Sequence, residues 1–109
     1  MNFKTYQKKA RQTAKYPNLG SNIIYPTLGL VGEAGEVAEK VKKVMRDKNG
    51  MFDNESNLGI KKELGDVLWY ISNLCTEFNF NLEDVALQNL EKLKLRAAKG
   101  TISGSGDDR

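Results

Sequence analysis

One arrangement of acidic side chains occurs twice in the chain, as Glu33-Ala34-Gly35-Glu36-Val37 and, thirty residues later, as Glu63-Leu64-Gly65-Asp66-Val67. In each copy the two carboxylates are three residues apart, and residues at this spacing share one face of a helix. Two such helices packed side by side would bring four carboxylates together, and these would repel one another without a cation. Hard divalent ions such as Mg²⁺ take oxygen ligands of this kind. The repeat therefore predicts a metal site for Mg²⁺, with Mn²⁺ as an alternative, held by Glu33, Glu36, Glu63 and Asp66.

Basic side chains continue the first acidic stripe. Lys40 and Lys43 follow Glu33 and Glu36 at helical spacing. A ligand lying along this stripe would meet the metal first and ammonium groups next, an order that suits a polyphosphate. The alternative is a solvated surface, on which the exposed acids pair with Lys40 or Lys62.

A second polar stripe near the C-terminus consists of Asn89, Lys92 and Arg96, at spacings of three and four. Its cations could bind phosphate or could be ordinary surface residues. Tyr70 and Trp69 could stack a nucleobase, although partial burial in a core or interface is the favoured interpretation of Trp69.

The chain has no histidine and one cysteine, Cys75. Without histidine, His-based triads and most zinc sites are excluded. General acid–base catalysis would then depend on carboxylates, Lys, Tyr or metal-bound water. A carboxylate at the edge of these four acids is then the expected general base, and Glu36 is the candidate. A single cysteine cannot form an internal disulfide, which agrees with a cytoplasmic location. We expect Cys75 to be a small core residue.

The composition is typical of one soluble domain, with 109 residues, 39% hydrophobic and 28% charged, and a net charge of +3. No apolar run approaches the ~20 residues that a membrane span requires, and the N-terminus lacks the apolar stretch of a secretory signal. Lysines and arginines are spread among acids, which does not favour binding to extended nucleic acid.

Apolar residues recur at spacings of three and four, and no convincing period-two strand is present, which predicts an all-α fold. Four helices are expected, at about 2–15, 23–46, 58–78 and 82–98, with Asn54 or Ser56 capping the third. Residues 99–109 are rich in Gly and Ser and predict a flexible tail. The helical domain is therefore expected to comprise residues 1–98.

Both acid pairs lie at the margin of an apolar stripe on their helical wheels, so packing of the second and third helices should bring them together. Glycines near the acids each cost on the order of 1 kcal/mol relative to Ala in a helix. We interpret them as allowing the helix backbones to approach closely around a shared ion; they are Gly29, Gly32, Gly35 and Gly65. Long helices with broad apolar arcs in so short a chain also predict an oligomer.

These motifs resemble those of the MazG-like all-α nucleoside triphosphate pyrophosphohydrolases. The similar segments, which extend the resemblance over nearly the whole chain, are Gly29-Leu30-Val31-Gly32-Glu33-Ala34-Gly35-Glu36, Lys62-Glu63-Leu64-Gly65-Asp66-Val67-Leu68-Trp69-Tyr70 and Asn89-Leu90-Glu91-Lys92-Leu93-Lys94-Leu95-Arg96. The resemblance implies hydrolysis of a (deoxy)nucleoside triphosphate between the α and β phosphates, giving monophosphate and pyrophosphate. It also implies Mg²⁺ bound by the four acids, and helical protomers that form a dimer or a dimer of dimers.

By matching position, the resemblance implies that Tyr70 contacts the nucleotide and that Lys43 lies where relatives place a substrate-contacting residue. Some relatives carry a further acid just before the first pair, where this chain has Gly32. The full set of expected substrate-binding residues is Lys40, Lys43, Tyr70, Asn89, Lys92 and Arg96. Two alternatives remain open: a phosphoribosyl-ATP pyrophosphohydrolase, and a non-catalytic helical dimerisation module that keeps the acids as ion pairs.

Overall fold

The computed structural model describes residues 1–100 and 104–107. Their helices are α1 (Phe3–Gln12), α2 (Ile24–Asp47), α3 (Asn54–Glu77) and α4 (Leu82–Lys99), and these residues contain no strand. The predicted all-α, four-helix protomer is confirmed. None of these helices is both long enough and apolar enough to cross a membrane.

Helices α2 and α3 form the centre of the fold as a long antiparallel hairpin. Tyr70 lies against Gly29 near one end of the hairpin, and Gly59 faces Lys40 nearer the turn. Helix α1 packs against α3, and α4 packs against α1 and α3. Among the described residues, α2 therefore packs against α3 alone.

The start of α3 lies four residues before the expected position, because a reciprocal cap forms there. Asp53 Oδ1 accepts a hydrogen bond from the Ser56 N–H at 2.8 Å, and Ser56 Oγ accepts one from the Asp53 N–H at 2.9 Å. This capping box satisfies two backbone donors that a helix start leaves unpaired. The cap is therefore Asp53, and the expectation of Asn54 or Ser56 was wrong.

The end of α1 lies three residues before the expected position. The Thr13 hydroxyl donates to the carbonyl oxygen of Ala10 at 2.7 Å and accepts a hydrogen bond from Trp69 Nε1 at 2.7 Å. Helix α1 thus ends at the point where the Thr13 hydroxyl is hydrogen-bonded to Trp69 of α3. The other helix ends agree with the expected ones to within a residue, and Pro26 lies in the first turn of α2 as expected.

One buried carboxylate, Glu77 at the end of α3, holds the connection between α1 and α2 in place. Its Oε2 accepts hydrogen bonds from Arg11 Nη2 at 2.8 Å, the Tyr16 hydroxyl at 2.5 Å and the Gly20 N–H at 3.0 Å. Its Oε1 accepts from the Asn22 N–H at 2.9 Å. Burial alone would raise the pKa of Glu77, but these four hydrogen bonds outweigh it and lower the pKa to about 2.

The single chain is open, and its described residues include few buried apolar side chains. Its radius of gyration is 16.7 Å, whereas a compact chain of this length has about 13 Å. The buried hydrophobic residues are Ala10, Ala14, Tyr16, Val44, Leu82 and, as expected, Cys75. On the side of α2 that faces away from α3, Ile24, Leu28 and Val31 are 63%, 66% and 67% exposed. We call these three residues the α2 apolar stripe.

Candidate metal centre and nucleotide site

Helices α2 and α3 bring three carboxylates together, from Glu33, Glu63 and Asp66. One oxygen of each lies within 4.8 Å of the other two. An octahedral ion with ligands at 2.0–2.1 Å places opposite ligands about 4.2 Å apart. Three oxygens at the observed spacing can therefore converge on one divalent ion after small side-chain adjustments. We call these residues the acidic cluster.

The electrostatics of the acidic cluster favour a cation. A hydrogen bond with Glu63 raises the pKa of Glu33, and partial burial and the negative charges of Asp66, Glu63 and Glu36 raise it further. Lys40 Nζ lies 3.7 Å from Glu63 Oε1 and offsets part of this charge. A divalent ion bound by the three carboxylates would offset this negative charge, so the donor set fits an oxygen-ligated metal.

Glu36 was predicted as a fourth ligand but does not belong to this set of oxygens. It is exposed, one helical turn after Glu33, and close enough for its charge to raise the pKa of Glu33. The structure thus brings together three of the four predicted metal ligands and leaves the fourth beside them.

The glycines near the acids do not all have the expected role. Only Gly29 has a close neighbour within the described chain: a Cβ there would overlap the ring of Tyr70. A Cβ at Gly32, Gly35 or Gly65 would meet nothing within 4 Å. The close approach is therefore between a side chain and one helix backbone, and within this chain the interpretation of Gly32, Gly35 and Gly65 as backbone-approach sites was wrong.

Gly29→Ala is expected to destabilise the fold, although Ala favours a helix by about 1 kcal/mol. The added methyl overlaps the Tyr70 ring, and such overpacking costs roughly 1–3 kcal/mol. Gly65→Ala is the matched control and should be neutral or stabilising by up to about 1 kcal/mol. Thermal melting of both variants, with near-UV circular dichroism to report the tyrosine environment, tests this pair. Equal melting temperatures would contradict the packing of Tyr70 on Gly29.

Aromatic rings adjoin the acidic cluster. The Tyr70 ring lies 6.4 Å from that of Tyr25 and 5.0 Å, edge to face, from that of Trp69. Tyr25 in turn stacks on Tyr16, with ring centroids 4.8 Å apart. Burial is the main reason that the pKa of Tyr70 is raised, followed by Tyr25 and the charges of the acidic cluster. Trp69 is half-buried, in agreement with the expectation that it is partly buried in a core or interface.

Sequence reasoning missed two residues around this site, Tyr6 and Tyr25. Tyr6 on α1 lies near enough to Asp66 for that charge to raise its pKa, after the larger effect of burial. No local sequence pattern indicates that Tyr6 lies near this site, because Asp66 is sixty residues away from it along the chain. Tyr25 could have been found, because it precedes Gly29 and Glu36 by four and eleven residues and so lies on their helical face.

Lys40 and Lys43 border a cleft of about 330 Å³ between the end of α2 and the start of α3, which Lys48 also lines. Because Lys40 also reaches Glu63, the cleft adjoins the acidic cluster. Lys43 Nζ lies 3.9 Å from Glu39 Oε1 and is exposed. The cleft thus places three lysines directly after the acids, as expected, together with Asp47 and Glu55.

The expected substrate contacts on α4 lie elsewhere in the single chain, since α4 and α2 do not pack together. Lys92 Nζ lies 3.0 Å from Asp107 Oδ1. Arg96 Nη2 donates to that oxygen at 3.2 Å and to the Asp107 carbonyl at 2.8 Å. Asn89 is exposed. Part of the expected tail thus contacts α4, and its residues 101–103 and 108–109 lie outside the described residues.

Comparison with known proteins agrees with this arrangement. The MazG nucleotide pyrophosphohydrolase domain model matches residues 26–101. The chain is 45% identical to the Gene 37 protein of Mycobacterium phage L5, over the full length of both proteins. No solved structure matches the chain significantly. The domain match covers both acid motifs and the antiparallel pair that unites them, and the chain belongs to the MazG nucleotide pyrophosphohydrolase domain family.

Proposed function

We propose that this protein hydrolyses (deoxy)nucleoside triphosphates to monophosphate and pyrophosphate in a Mg²⁺-dependent reaction, with Mn²⁺ as an alternative ion. The observation that carries the proposal is the convergence of Glu33, Glu63 and Asp66 inside a MazG domain. Their oxygens suit a hard divalent ion, and such an ion is the usual partner of a polyphosphate.

The acidic cluster would hold the metal, which when bound supplies charge neutralisation of phosphate oxygens and activation of a water. Glu36 is then left to act as the general base. Its exposed carboxylate, one turn from Glu33, can accept a hydrogen bond from a water beside the substrate and orient it for attack. A position next to the cluster but outside it suits this role better than that of a ligand.

Lys40 and Lys43 would bind the phosphates that leave as pyrophosphate. Both line the cleft after the acidic cluster, and ammonium groups there would stabilise the charge that develops on the departing group. Tyr70 contacts the nucleotide in this proposal, with its ring packed on Gly29.

Asn89, Lys92 and Arg96 would reach the phosphates from a second protomer. Helix α4 does not pack against α2 within one chain, while the α2 apolar stripe is more than half exposed. We therefore propose a homodimer or a dimer of dimers, in which a second copy covers this stripe.

Light scattering at micromolar concentration should give a mass of at least two chains. Val31→Glu should shift the protein toward monomers, because burying an unpaired charge in an apolar interface is strongly unfavourable. Gln12→Glu, at the exposed end of α1, introduces the same charge outside the stripe and should leave the mass unchanged. A monomeric wild type would contradict the proposed assembly.

The central test is pyrophosphate release from a panel of ordinary and modified nucleoside triphosphates, with Mg²⁺, with Mn²⁺ and with excess EDTA. We expect turnover with either ion and none with EDTA. Release from phosphoribosyl-ATP alone would favour that alternative, and no release from any substrate would favour the dimerisation module. Full turnover in EDTA would refute the role of the acidic cluster.

A further inference from the structure

One face of α2 carries an ordered series of different chemical groups. At 100° per residue, Tyr25, Gly29, Glu36 and Lys43 fall within about 40° of one another. With a rise of 1.5 Å per residue, Tyr25 lies about 12 Å before Glu33 along the helix axis, and Lys43 lies about 15 Å after Glu33. The face therefore presents an aromatic ring, then Glu36 beside the acidic cluster, then the ammonium group of Lys43.

Among the aromatic residues near the acidic cluster, Tyr25 has a ring that is both held in place and accessible. It stacks on Tyr16 with an interplanar angle of 14°, and Tyr16 is only 7% exposed. The Tyr16 hydroxyl is held by Glu77 at 2.5 Å and by Arg11 Nη1 at 2.7 Å. Tyr25 itself is 43% exposed, so it combines a rigid support with open ring surface.

The neighbouring aromatic residues are less suited to hold a ligand. One edge of the Tyr70 ring lies so close to Gly29 of α2 that a Cβ there would overlap it. Trp69 is half-buried, and its Nε1 donates to Thr13 at 2.7 Å. Both rings therefore pack α3 against its neighbours and offer less open ring surface than Tyr25 for stacking a base, so the nucleotide contact proposed for Tyr70 is not a stacking contact.

We propose that Tyr25 stacks the nucleobase, and that the nucleotide lies along α2 with its base toward the N-terminal end of the helix and its phosphates toward Lys40 and Lys43. This inference rests on the proposed function and deepens it. Stacking on an aromatic ring recognises any base through its π-face. The order of ring, acids and ammonium groups runs in the same direction as the order of base, reacting phosphates and terminal phosphates. Lys40, whose Nζ lies 3.7 Å from Glu63 Oε1, is the lysine nearest to the acidic cluster.

The test uses adenosine monophosphate and ribose 5-phosphate, which differ by the base, as calorimetric titrants of the protein with Mg²⁺ present. We expect the wild type to bind the monophosphate more tightly, and Tyr25→Leu to reduce this preference at least about fivefold. Tyr25→Phe should keep it. Phe80→Leu is the matched control, since Phe80 is also an exposed, stacked ring, 5.3 Å from that of Phe78, and it should leave the preference unchanged.

A folded Tyr25→Leu variant with the wild-type preference, or a wild type without any preference, would overturn the proposal. If Tyr25→Leu does not fold, Tyr25→Trp decides: its larger ring should raise the preference about two- to threefold, and no change would overturn the proposal. Binding needs no hydrolysis, so a protein inactive toward triphosphates can still show the effect of Tyr25. Conversely, if the enzyme is active but substitution of Tyr25 does not change the preference for the base, only the proposed role of Tyr25 is refuted.

Discussion

Asp66→Asn is expected to reduce pyrophosphate release by about 100-fold or more, since a metal ligand contributes several kcal/mol to the stabilisation of transition-state charge. The substitution keeps the shape of the side chain and removes one of the three converging carboxylates. Helix α3 should persist, because Asn and Asp have similar helix propensities.

The same substitution distinguishes a role of Asp66 in metal binding from a role in the stability of the fold. Asp66 raises the pKa of Glu33 through its charge, so its removal relieves repulsion and should leave the metal-free protein at least as stable as the wild type. Added Mg²⁺ should then raise the melting temperature of the wild type more than that of the variant, because a ligand stabilises the state that binds it.

Asp84→Asn is the matched control for this experiment. It is the same change at an exposed acid on α4, and activity should stay within about twofold, as for most surface substitutions. Full activity of Asp66→Asn, or unfolding of its metal-free form, would show that Asp66 has a structural role instead.

Glu77→Gln is expected to lower the free energy of unfolding by about 3 kcal/mol, the energy that corresponds to its pKa difference between the unfolded and folded states. The side chain is fully buried, and both its oxygens accept hydrogen bonds. An amide nitrogen in place of one oxygen would face a donor, and a buried donor without an acceptor is costly. Urea titrations of both proteins at pH 7 measure this difference.

The pH dependence of stability provides a second measurement. The pKa of Glu77 is about 2 in the fold and about 4.3 in an unfolded chain. A lowered folded-state pKa stabilises the protein above the unfolded value, and this contribution is lost as the pH falls toward 2. The wild type should therefore lose more stability than Glu77→Gln between about pH 5 and pH 2.

Glu91→Gln, an exposed glutamate on α4, is the control and should change stability by less than about 0.5 kcal/mol. If Glu77→Gln were as stable as this control at pH 7, the hydrogen-bond network would not hold the α1–α2 connection. The same result would remove the physical basis for the rigid support of Tyr25.

Much of the candidate site could be predicted from the sequence because it depends on local spacing. A separation of three residues puts Glu33 beside Glu36, and Glu63 beside Asp66, on any helix that contains them. The apolar period indicates which side of each helix faces the core. These two facts were sufficient to expect that the second and third helices pair and that their acids meet.

The rotation of each helix and the contacts of its ends could not be predicted in this way. A rotation of α2 about its own axis by a few tens of degrees decides whether Glu36 joins the acidic cluster or stays beside it. The packing of α2 against α3 determines this rotation. The contact of Tyr70 with Gly29 also depends on this packing, since neither residue has a local feature that reveals the other.

The sequence by itself determined the four helices and the acid pairs, because each depends on residues a few positions apart. It also determined the family, because the two acid motifs recur at a separation of thirty residues. Only the tertiary structure decided that Glu77 holds Arg11 and Tyr16, which are more than sixty residues away along the chain. It also decided that Tyr25 rests on Tyr16 beside the acidic cluster. Such contacts form between distant segments, and many pairings of polar and aromatic residues satisfy the same periodicity, so the choice among them depends on how the helices pack.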